Sequence, residues 1–212
     1  THTADSFLSS TARIIGEVEL RIHHHLLVSE GTRVEAISRI YAHQQTLAQC
    51  RQWLDAHFPK AERVAVSSNA EAARRIKGEW HSAAIAGETA AEIYGLIKRN
   101  ECIEDNPNNT TRFLIIGTES VAPSGDDKTS IVVSMKRNES GALHHILAPF
   151  AQRGINLTRI ESRPSKNDLW TYVFFIDFEG HHDAPQVREV MAELEPRMRE
   201  VKLLGSYPRA VL

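Results

Sequence analysis

One short segment divides the chain and limits what it can fold into. Residues 120–128 read Ser-Val-Ala-Pro-Ser-Gly-Asp-Asp-Lys, and a run this rich in Pro, Gly, Ser and acidic residues cannot continue a helix or a strand. We therefore predict a domain at 1–119, a linker at 120–127 and a second domain at 128–212. Both predicted domains are large enough to bury a core of their own.

Before the linker, short apolar runs alternate with segments of helical period. This alternation is typical of an α/β layer structure with mostly parallel strands. The strands are predicted at 18–28, 37–42, 64–66, 83–86 and 112–116, and a helix at 44–58. Asn69 is the predicted N-cap of a further helix, because its side chain can accept from an unpaired amide. The apolar stripe of that helix comprises Ala72, Ala73, Ile76 and Trp80.

After the linker the pattern changes to strand, helix, strand, strand, helix, strand. Ile131, Val133 and Met135 alternate as in a strand, and Leu143, Ile146, Leu147 and Phe150 follow the spacing of an amphipathic helix. Strands at 155–163 and 170–178 flank a turn at 165–168, Pro185 suits a helix start, and 201–204 closes the series. The order βαββαβ predicts a ferredoxin-like plait.

Composition excludes several classes of partner. The chain has 25 basic and 27 acidic side chains, without the basic excess of a nucleic-acid-binding protein. No apolar run approaches the roughly 18–20 residues that span a bilayer, and Thr1–Ser10 does not resemble a secretory signal. We expect no nucleic-acid partner, no membrane and a cytoplasmic location. Cys50 and Cys102 are too few for a disulfide framework and are interpreted as small buried side chains.

Three consecutive histidines, His23–His25, suggest a metal site only at first sight. Neighbouring strand residues point to opposite faces, so at most His23 and His25 converge, and two ligands do not make a site. We therefore expect no metal and no cofactor. His24 points the other way and is a candidate for lining a substrate cleft, as is His43 at the end of a predicted strand.

Two motifs after the linker resemble a known family. Gly141-Ala142-Leu143, followed by the run 154–164 that ends in Glu-Ser-Arg-Pro, is similar to the ACT domains that bind phenylalanine in prephenate dehydratases. Upstream, Asn109-Thr110-Thr111-Arg112-Phe113 resembles the TRF motif of the same family. The dehydratase domain of that family is also similar in order and spacing to residues 22–27, 41–50 and 83–95. The resemblance covers essentially the whole chain and is greatest to the C-terminal part of bifunctional chorismate mutase–prephenate dehydratases.

The resemblance implies a fold, an activity and partners. The fold would be part of a two-lobed, periplasmic-binding-protein-like catalytic domain followed by an ACT domain. The activity would be that of a carbon–oxygen lyase in L-phenylalanine biosynthesis, which converts prephenate to phenylpyruvate without a cofactor and is inhibited by L-phenylalanine. A homodimer or tetramer is implied.

The chain lacks the family's glycine-rich N-terminal motif and its NS-x-EG motif. With position 1 occupied by Thr, we expect a piece of a longer protein that is inactive alone. A non-catalytic phenylalanine-binding fragment is the alternative. A solute-binding protein is a third hypothesis, which the missing signal peptide disfavours.

The resemblance also implies roles for single residues. Thr111 would donate to the departing hydroxyl, and Phe113 and His24 would contact substrate. Arg112 would either pair with a substrate carboxylate or be structural, because it should face away from Thr111 on a strand. Backbone groups near Leu143 and Asn156 would hold phenylalanine, while 161–164 would close the site from a facing subunit. The implied effector residues are Gly141, Ala142, Leu143, Asn156, Leu157, Glu161, Ser162, Arg163 and Pro164.

Overall fold

The structure is a computed structural model that describes residues 6–7, 10–136, 139–165 and 172–210. It divides into two compact units, one of residues 20–111 and one of residues 1–19 with 112–212. The predicted linker carries no helix or strand until a strand begins at Asp127. The chain passes from one unit to the other at Glu19/Leu20 and at Thr111/Arg112.

Eleven strands and six α-helices are assigned within the described residues. The strands are β1 (Arg13–Arg21), β2 (His25–Val28), β3 (Arg39–His43), β4 (Glu62–Val66), β5 (Ser82–Ala86), β6 (Ile97–Asn100), β7 (Thr110–Gly117), β8 (Asp127–Ser134), β9 (Leu157–Pro164), β10 (Tyr172–Glu179) and β11 (Glu200–Pro208). The helices are α1 (Gln44–Gln49), α2 (Arg51–His57), α3 (Asn69–Arg75), α4 (Glu88–Tyr94), α5 (Ala142–Gln152) and α6 (Pro185–Leu194), with a 3-10 turn at Val34–Ala36. None of the helices in these ranges has the length and apolar character of a membrane span.

The unit of residues 20–111 is an α/β layer structure, as predicted, but only two of its four strand pairings are parallel, where mostly parallel strands were expected. Its sheet has the order β4-β3-β5-β2-β6, in which β3 runs parallel to β4 and β5 and β2 runs antiparallel to β5 and β6. Alternate residues of the buried strands point to opposite faces. Ile40 and Ile85 therefore pack with Leu54 of α2 on one face, and Tyr41 and Ala84 pack with α3 on the other.

The predicted strand at 18–28 is wrong as one element, because β1 and β2 belong to different sheets. Residues 22–24 leave the strand ladder and bond to the loop after β6. The Ile22 amide donates to the Asn109 carbonyl at 2.8 Å, and the His24 carbonyl accepts from the Ile103 amide at 2.8 Å. Both hydrogen bonds come from residues about eighty positions away, so the local sequence does not show the break.

The predicted helix at 44–58 is interrupted at Cys50, which has φ −112° and ψ 17°. Asp105, from a distant loop, accepts hydrogen bonds from the amides of Gln52 and Trp53 at 2.9 and 3.0 Å. Its carboxylate thereby satisfies the free amides that start a second helix. The interruption depends on a residue more than fifty positions away, so the local period does not show it.

Two details of the next helix were also predicted wrongly. Ser68 rather than Asn69 is the N-cap of α3, since the Ser68 hydroxyl accepts from the Glu71 amide at 3.1 Å. Trp80 is 61% exposed and lies beyond the last residue of α3, so it is not part of the apolar stripe. Ala72, Ala73 and Ile76 are buried as predicted.

Residues 127–208 form the predicted βαββαβ plait, with antiparallel strand order β11-β8-β10-β9. Helices α5 and α6 cover one face, where Phe150 packs against Phe178 with ring centroids 5.0 Å apart. On the other face Val132 and Phe175 pack with Ile14 of β1. The predicted turn at 165–168 and Trp170 fall largely outside the described residues.

Candidate catalytic and effector sites

A cavity of about 290 Å³ lies at the carboxyl ends of β3 and β4, and we call it the strand-end cavity. In parallel α/β sheets this edge is where ligands bind, because loops and helix starts meet there. Most of the side chains that line it are polar. They belong to Ile22, His24, His43, Gln45, Thr46, Gln49, Ser67, Ser68, Asn69, Asn109 and Thr111.

His24 is the most buried histidine of this cavity, with 4% of its surface exposed. Its Nε2 lies 3.0 Å from Gln49 Oε1, and Gln49 Nε2 donates to Asn109 Oδ1 at 3.1 Å. Asn109 Nδ2 donates in turn to the Ile22 carbonyl at 3.0 Å. Within the described residues His24 Nδ1 has no hydrogen-bond partner. A chain of amide side chains therefore orients the imidazole at the cavity wall.

The opposite wall is organised by Asn69. Its Oδ1 accepts from the His43 amide at 2.9 Å, and its Nδ2 donates to Thr46 Oγ1 at 2.9 Å. The His43 ring in turn accepts from the Gln45 amide at 3.3 Å. Asn69 thus joins the end of β3 to the first turns of α1 and α3, which keeps the polar wall in one arrangement.

Thr111 lies on the strand-end cavity with His24 and His43, so three of the residues proposed for a substrate site line one cavity. Phe113 is 50% exposed and is not among the residues that line this cavity. Sequence reasoning missed Gln49, Asn69 and Asn109. Asn109 directly precedes the Thr-Thr-Arg-Phe motif, whereas nothing in the local sequence distinguishes Gln49 from a helix-surface glutamine.

Arg112 does not line that cavity and belongs to the unit of residues 1–19 and 112–212. Its Nε donates to Glu17 at 2.6 Å, its Nη1 to Asp177 at 2.5 Å and its Nη2 to the Tyr207 hydroxyl at 2.5 Å. The Glu17 side chain is fully buried and Asp177 is 6% exposed. Lys128 Nζ also contacts Glu17, at 2.7 Å. We call these five residues the Arg112 cluster.

The charges of the Arg112 cluster stabilise one another. Burial opposes ionisation of Glu17, but hydrogen bonding to Lys128 and the charge of Arg112 hold the pKa of its carboxyl below the usual range. Burial raises the pKa of Tyr207 to about 12, and the nearby Asp177 carboxylate acts in the same direction. The guanidinium is surrounded by acceptors from the protein itself.

A second cavity, of about 450 Å³, lies at the first turn of α5, and we call it the helix-start cavity. It brings together Gly141, Ala142 and Leu143 with Ser162, because antiparallel β9 runs back toward the start of the helix. The other lining residues are Met135, Glu139, Tyr172 and Phe174. Two motifs separated in sequence thus share one cavity within one chain.

The remaining predicted effector residues lie elsewhere. Glu161 forms ion pairs with both Arg159 and Arg163 on the same strand, β9. Pro164 ends the strand opposite Tyr172. Asn156 and Leu157 follow the far end of α5, roughly 16 Å of helix away from Gly141. A single chain therefore does not bring Asn156 and Leu143 to one ligand.

Comparisons with known proteins find matches for both halves of the chain. Residues 1–121 match the family model described as prephenate dehydratase, and residues 129–196 match the ACT domain model. A bifunctional chorismate mutase/prephenate dehydratase of Pseudomonas aeruginosa is 62% identical over 211 residues, with 100% of this chain and 58% of that protein covered. The prephenate dehydratase of Methanocaldococcus jannaschii is 41% identical and is covered over 71% of its length.

The fold has a solved counterpart. The prephenate dehydratase of Arthrobacter aurescens in complex with L-Phe superposes with a TM-score of 0.87 at 38% identity, covering 98% of this chain and 70% of the other. The chain spans less than two thirds of the length of the Pseudomonas relative. These matches, together with the motifs and the fold, show that the chain belongs to the prephenate dehydratase family and carries an ACT domain.

Proposed function

We propose that this chain carries part of the active site of a prephenate dehydratase and the ACT domain that regulates it. The observation that carries the proposal is the strand-end cavity, where Thr111, His24 and Asn109 line one polar space. The reaction would convert prephenate to phenylpyruvate in the biosynthesis of L-phenylalanine, in the cytoplasm.

The chemistry requires little from the protein beyond placement and charge stabilisation. The bond to the ring carboxylate breaks, its electrons complete the aromatic ring, and the hydroxyl on the opposite ring carbon departs and takes up one proton as water. Carbon dioxide is the other product. A hydrogen-bond donor at the departing oxygen stabilises the negative charge that develops there, which is the largest contribution in many enzymes.

Thr111 is the proposed donor. A threonine hydroxyl is a weak acid at neutral pH, so it suits hydrogen bonding better than transfer of its own proton. His24, fixed by Gln49 and Asn109, lines the same cavity and is assigned to substrate binding. Arg112 is assigned to structure rather than to a substrate carboxylate, because its donors are engaged by the Arg112 cluster.

L-phenylalanine is the proposed effector, and the helix-start cavity is its proposed location. The start of α5, an 11-residue helix, offers the positive end of its dipole to a carboxylate, and Phe174 and Leu143 offer apolar contact. The relative from Arthrobacter aurescens was solved with L-Phe, which supports this ligand class. Glu161, Arg163, Pro164 and Asn156, which do not line this cavity in the same chain, would complete the site from a second subunit of a homodimer or tetramer.

Thr111→Ala in the full-length protein tests the catalytic proposal. Loss of one transition-state donor is expected to lower kcat by roughly 100–1,000-fold with a smaller change in KM. Thr111→Ser should retain substantial activity because the hydroxyl remains. Phenylpyruvate is followed by ultraviolet absorbance, with the spontaneous decay of prephenate subtracted.

Thr110→Ala provides the matched control, since Thr110 is the exposed neighbour that does not line the strand-end cavity. Near-normal turnover of Thr111→Ala, or an equal loss in Thr110→Ala, would assign Thr111 to structure. We further propose that the 212-residue chain does not turn over prephenate by itself, since it covers 58% of its Pseudomonas relative. Turnover above the blank by the isolated chain would contradict this.

A further inference from the structure

A cluster of three metal-ligating side chains lies outside the cavities described above. His23, Cys102 and Glu104 each offer one ligand atom, and these atoms all lie within 4.8 Å of one another. His23 Nδ1 is 2.7 Å from Glu104 Oε1. The residues meet because the segment before β2 bonds to the loop that follows β6. His25, which the sequence pairs with His23, instead accepts from the Cys102 amide at 3.2 Å.

Glu104 is held in a fixed orientation and in its charged form. Its side chain is 2% exposed, and its Oε2 accepts from the His24 amide at 2.9 Å. Burial acts to raise the pKa of this carboxyl, but the hydrogen bonds from the His24 amide and His23 leave it below the usual value. A backbone amide that orients one oxygen while the other faces the cluster is the supporting contact seen around bound metals.

The three ligand types select the class of ion. Thiolate, imidazole and carboxylate together suit zinc and similar divalent ions, whereas magnesium and calcium prefer oxygen ligands alone. His23 is 44% exposed and Cys102 is exposed, so the outer side of the cluster is open to water. We propose that His23, Cys102 and Glu104 form a binding site for a zinc-like divalent cation, with water completing a tetrahedral shell.

The charges around Cys102 favour this role over that of a reactive thiol. Glu101 directly precedes Cys102 in the chain, and the Glu104 carboxylate lies within 4.8 Å of the Cys102 thiol. Reactive cysteines require electropositive surroundings that stabilise the thiolate, which is the opposite arrangement. The same carboxylates attract a cation, and the bound ion would displace the thiol proton.

A second group of potential ligands, His181, His182 and Asp183, is less suitable. Both ring nitrogens of His181 are engaged, Nε2 with the Val121 carbonyl at 3.0 Å and Nδ1 with the Asp183 amide at 3.1 Å. His182 Nδ1 contacts the Ser206 hydroxyl at 2.9 Å. A metal would have to break these contacts and gain no thiolate in return.

The test uses the purified chain after chelator treatment, titrated with Zn²⁺ by calorimetry and with Co²⁺ by absorbance. We expect one equivalent to bind, a rise in melting temperature, and a sulfur-to-cobalt charge-transfer band. Cys102→Ser should abolish the band. His23→Ala should weaken Zn²⁺ binding by more than about 100-fold, since even loss of a supporting contact costs 10–100-fold.

Two exposed or half-exposed histidines outside the cluster give matched controls. His57→Ala and His182→Ala should bind Zn²⁺ as the parent chain does, and circular dichroism checks that each variant is folded. The proposal is overturned if the band persists in Cys102→Ser, if binding is lost only in His182→Ala, or if Zn²⁺ binds only at millimolar concentration. None of these readouts depends on turnover, so failure here and failure of the proposed catalytic function are separate results.

Discussion

Replacement of Arg112 by alanine distinguishes a structural arginine from one that binds substrate. The guanidinium contacts two buried carboxylates, Glu17 and Asp177, and the hydroxyl of Tyr207. Without the guanidinium, Asp177 keeps a hydrogen bond from the Ser130 hydroxyl at 2.5 Å and a more distant ion pair with Arg159 at 3.9 Å. The variant therefore keeps a nearly buried carboxylate that has lost its closest cation.

The loss of folding stability expected for Arg112→Ala follows from the burial of its carboxylate partners, Glu17 and Asp177. Removing one member of a buried ion pair typically costs about 3–5 kcal/mol, because the remaining charge stays desolvated. Glu17 retains Lys128 at 2.7 Å, so the loss falls mainly on Asp177 and we expect about 3 kcal/mol. Arg112→Lys should recover part of this loss, since an ammonium replaces the charge but not the planar fork of donors.

Urea unfolding followed by circular dichroism measures the change. With a denaturant slope near 2 kcal/mol per molar, a loss of about 3 kcal/mol lowers the midpoint by roughly 1.5 M. Arg209→Ala is the matched control, because its pair with Glu179 is exposed on both sides and should contribute less than about 1 kcal/mol. An Arg112→Ala midpoint equal to that of the control, with a large rise in KM for prephenate in the full-length protein, would refute the structural assignment.

Two further predictions concern pH and the effector. The folded pKa of Glu17 lies below the ordinary value of 4.5, so its ion pairs stabilise the fold above that pH and are lost as pH falls through the folded pKa. Glu17→Gln should therefore destabilise the chain at pH 7, and the difference should shrink as pH falls below 4.5 in urea titrations; a constant difference would contradict this. Ser162→Ala, on the helix-start cavity, should weaken L-phenylalanine binding by roughly 5–10-fold in calorimetry, the cost of one neutral hydrogen bond, while Thr158→Ala on the same strand should not. No saturable heat from the folded parent chain at millimolar phenylalanine would remove the effector proposal itself.

Hydrophobic periodicity was sufficient to predict a helix or strand wherever no residue from a distant part of the sequence interrupts it. The plait was predicted in full because strand alternation and the apolar spacing of α5 and α6 are local patterns with a single compatible order. The errors occurred where a distant group competes with the local pattern. Asp105 accepts from the amides that start a new helix at Arg51, and the loop after β6 bonds to residues 22–24, which interrupts the strand predicted at 18–28.

The amino-acid sequence by itself determined the βαββαβ order, the family resemblance and the candidate Thr111. Only the tertiary structure decided which side chains meet. Gln49 and Asn109 are 60 positions apart yet share a 3.1 Å hydrogen bond, and Arg112 donates hydrogen bonds to Glu17 and Asp177. The physical reason is that periodicity reports which face of an element is buried, whereas hydrogen bonds and ion pairs depend on distances that only the packed chain defines.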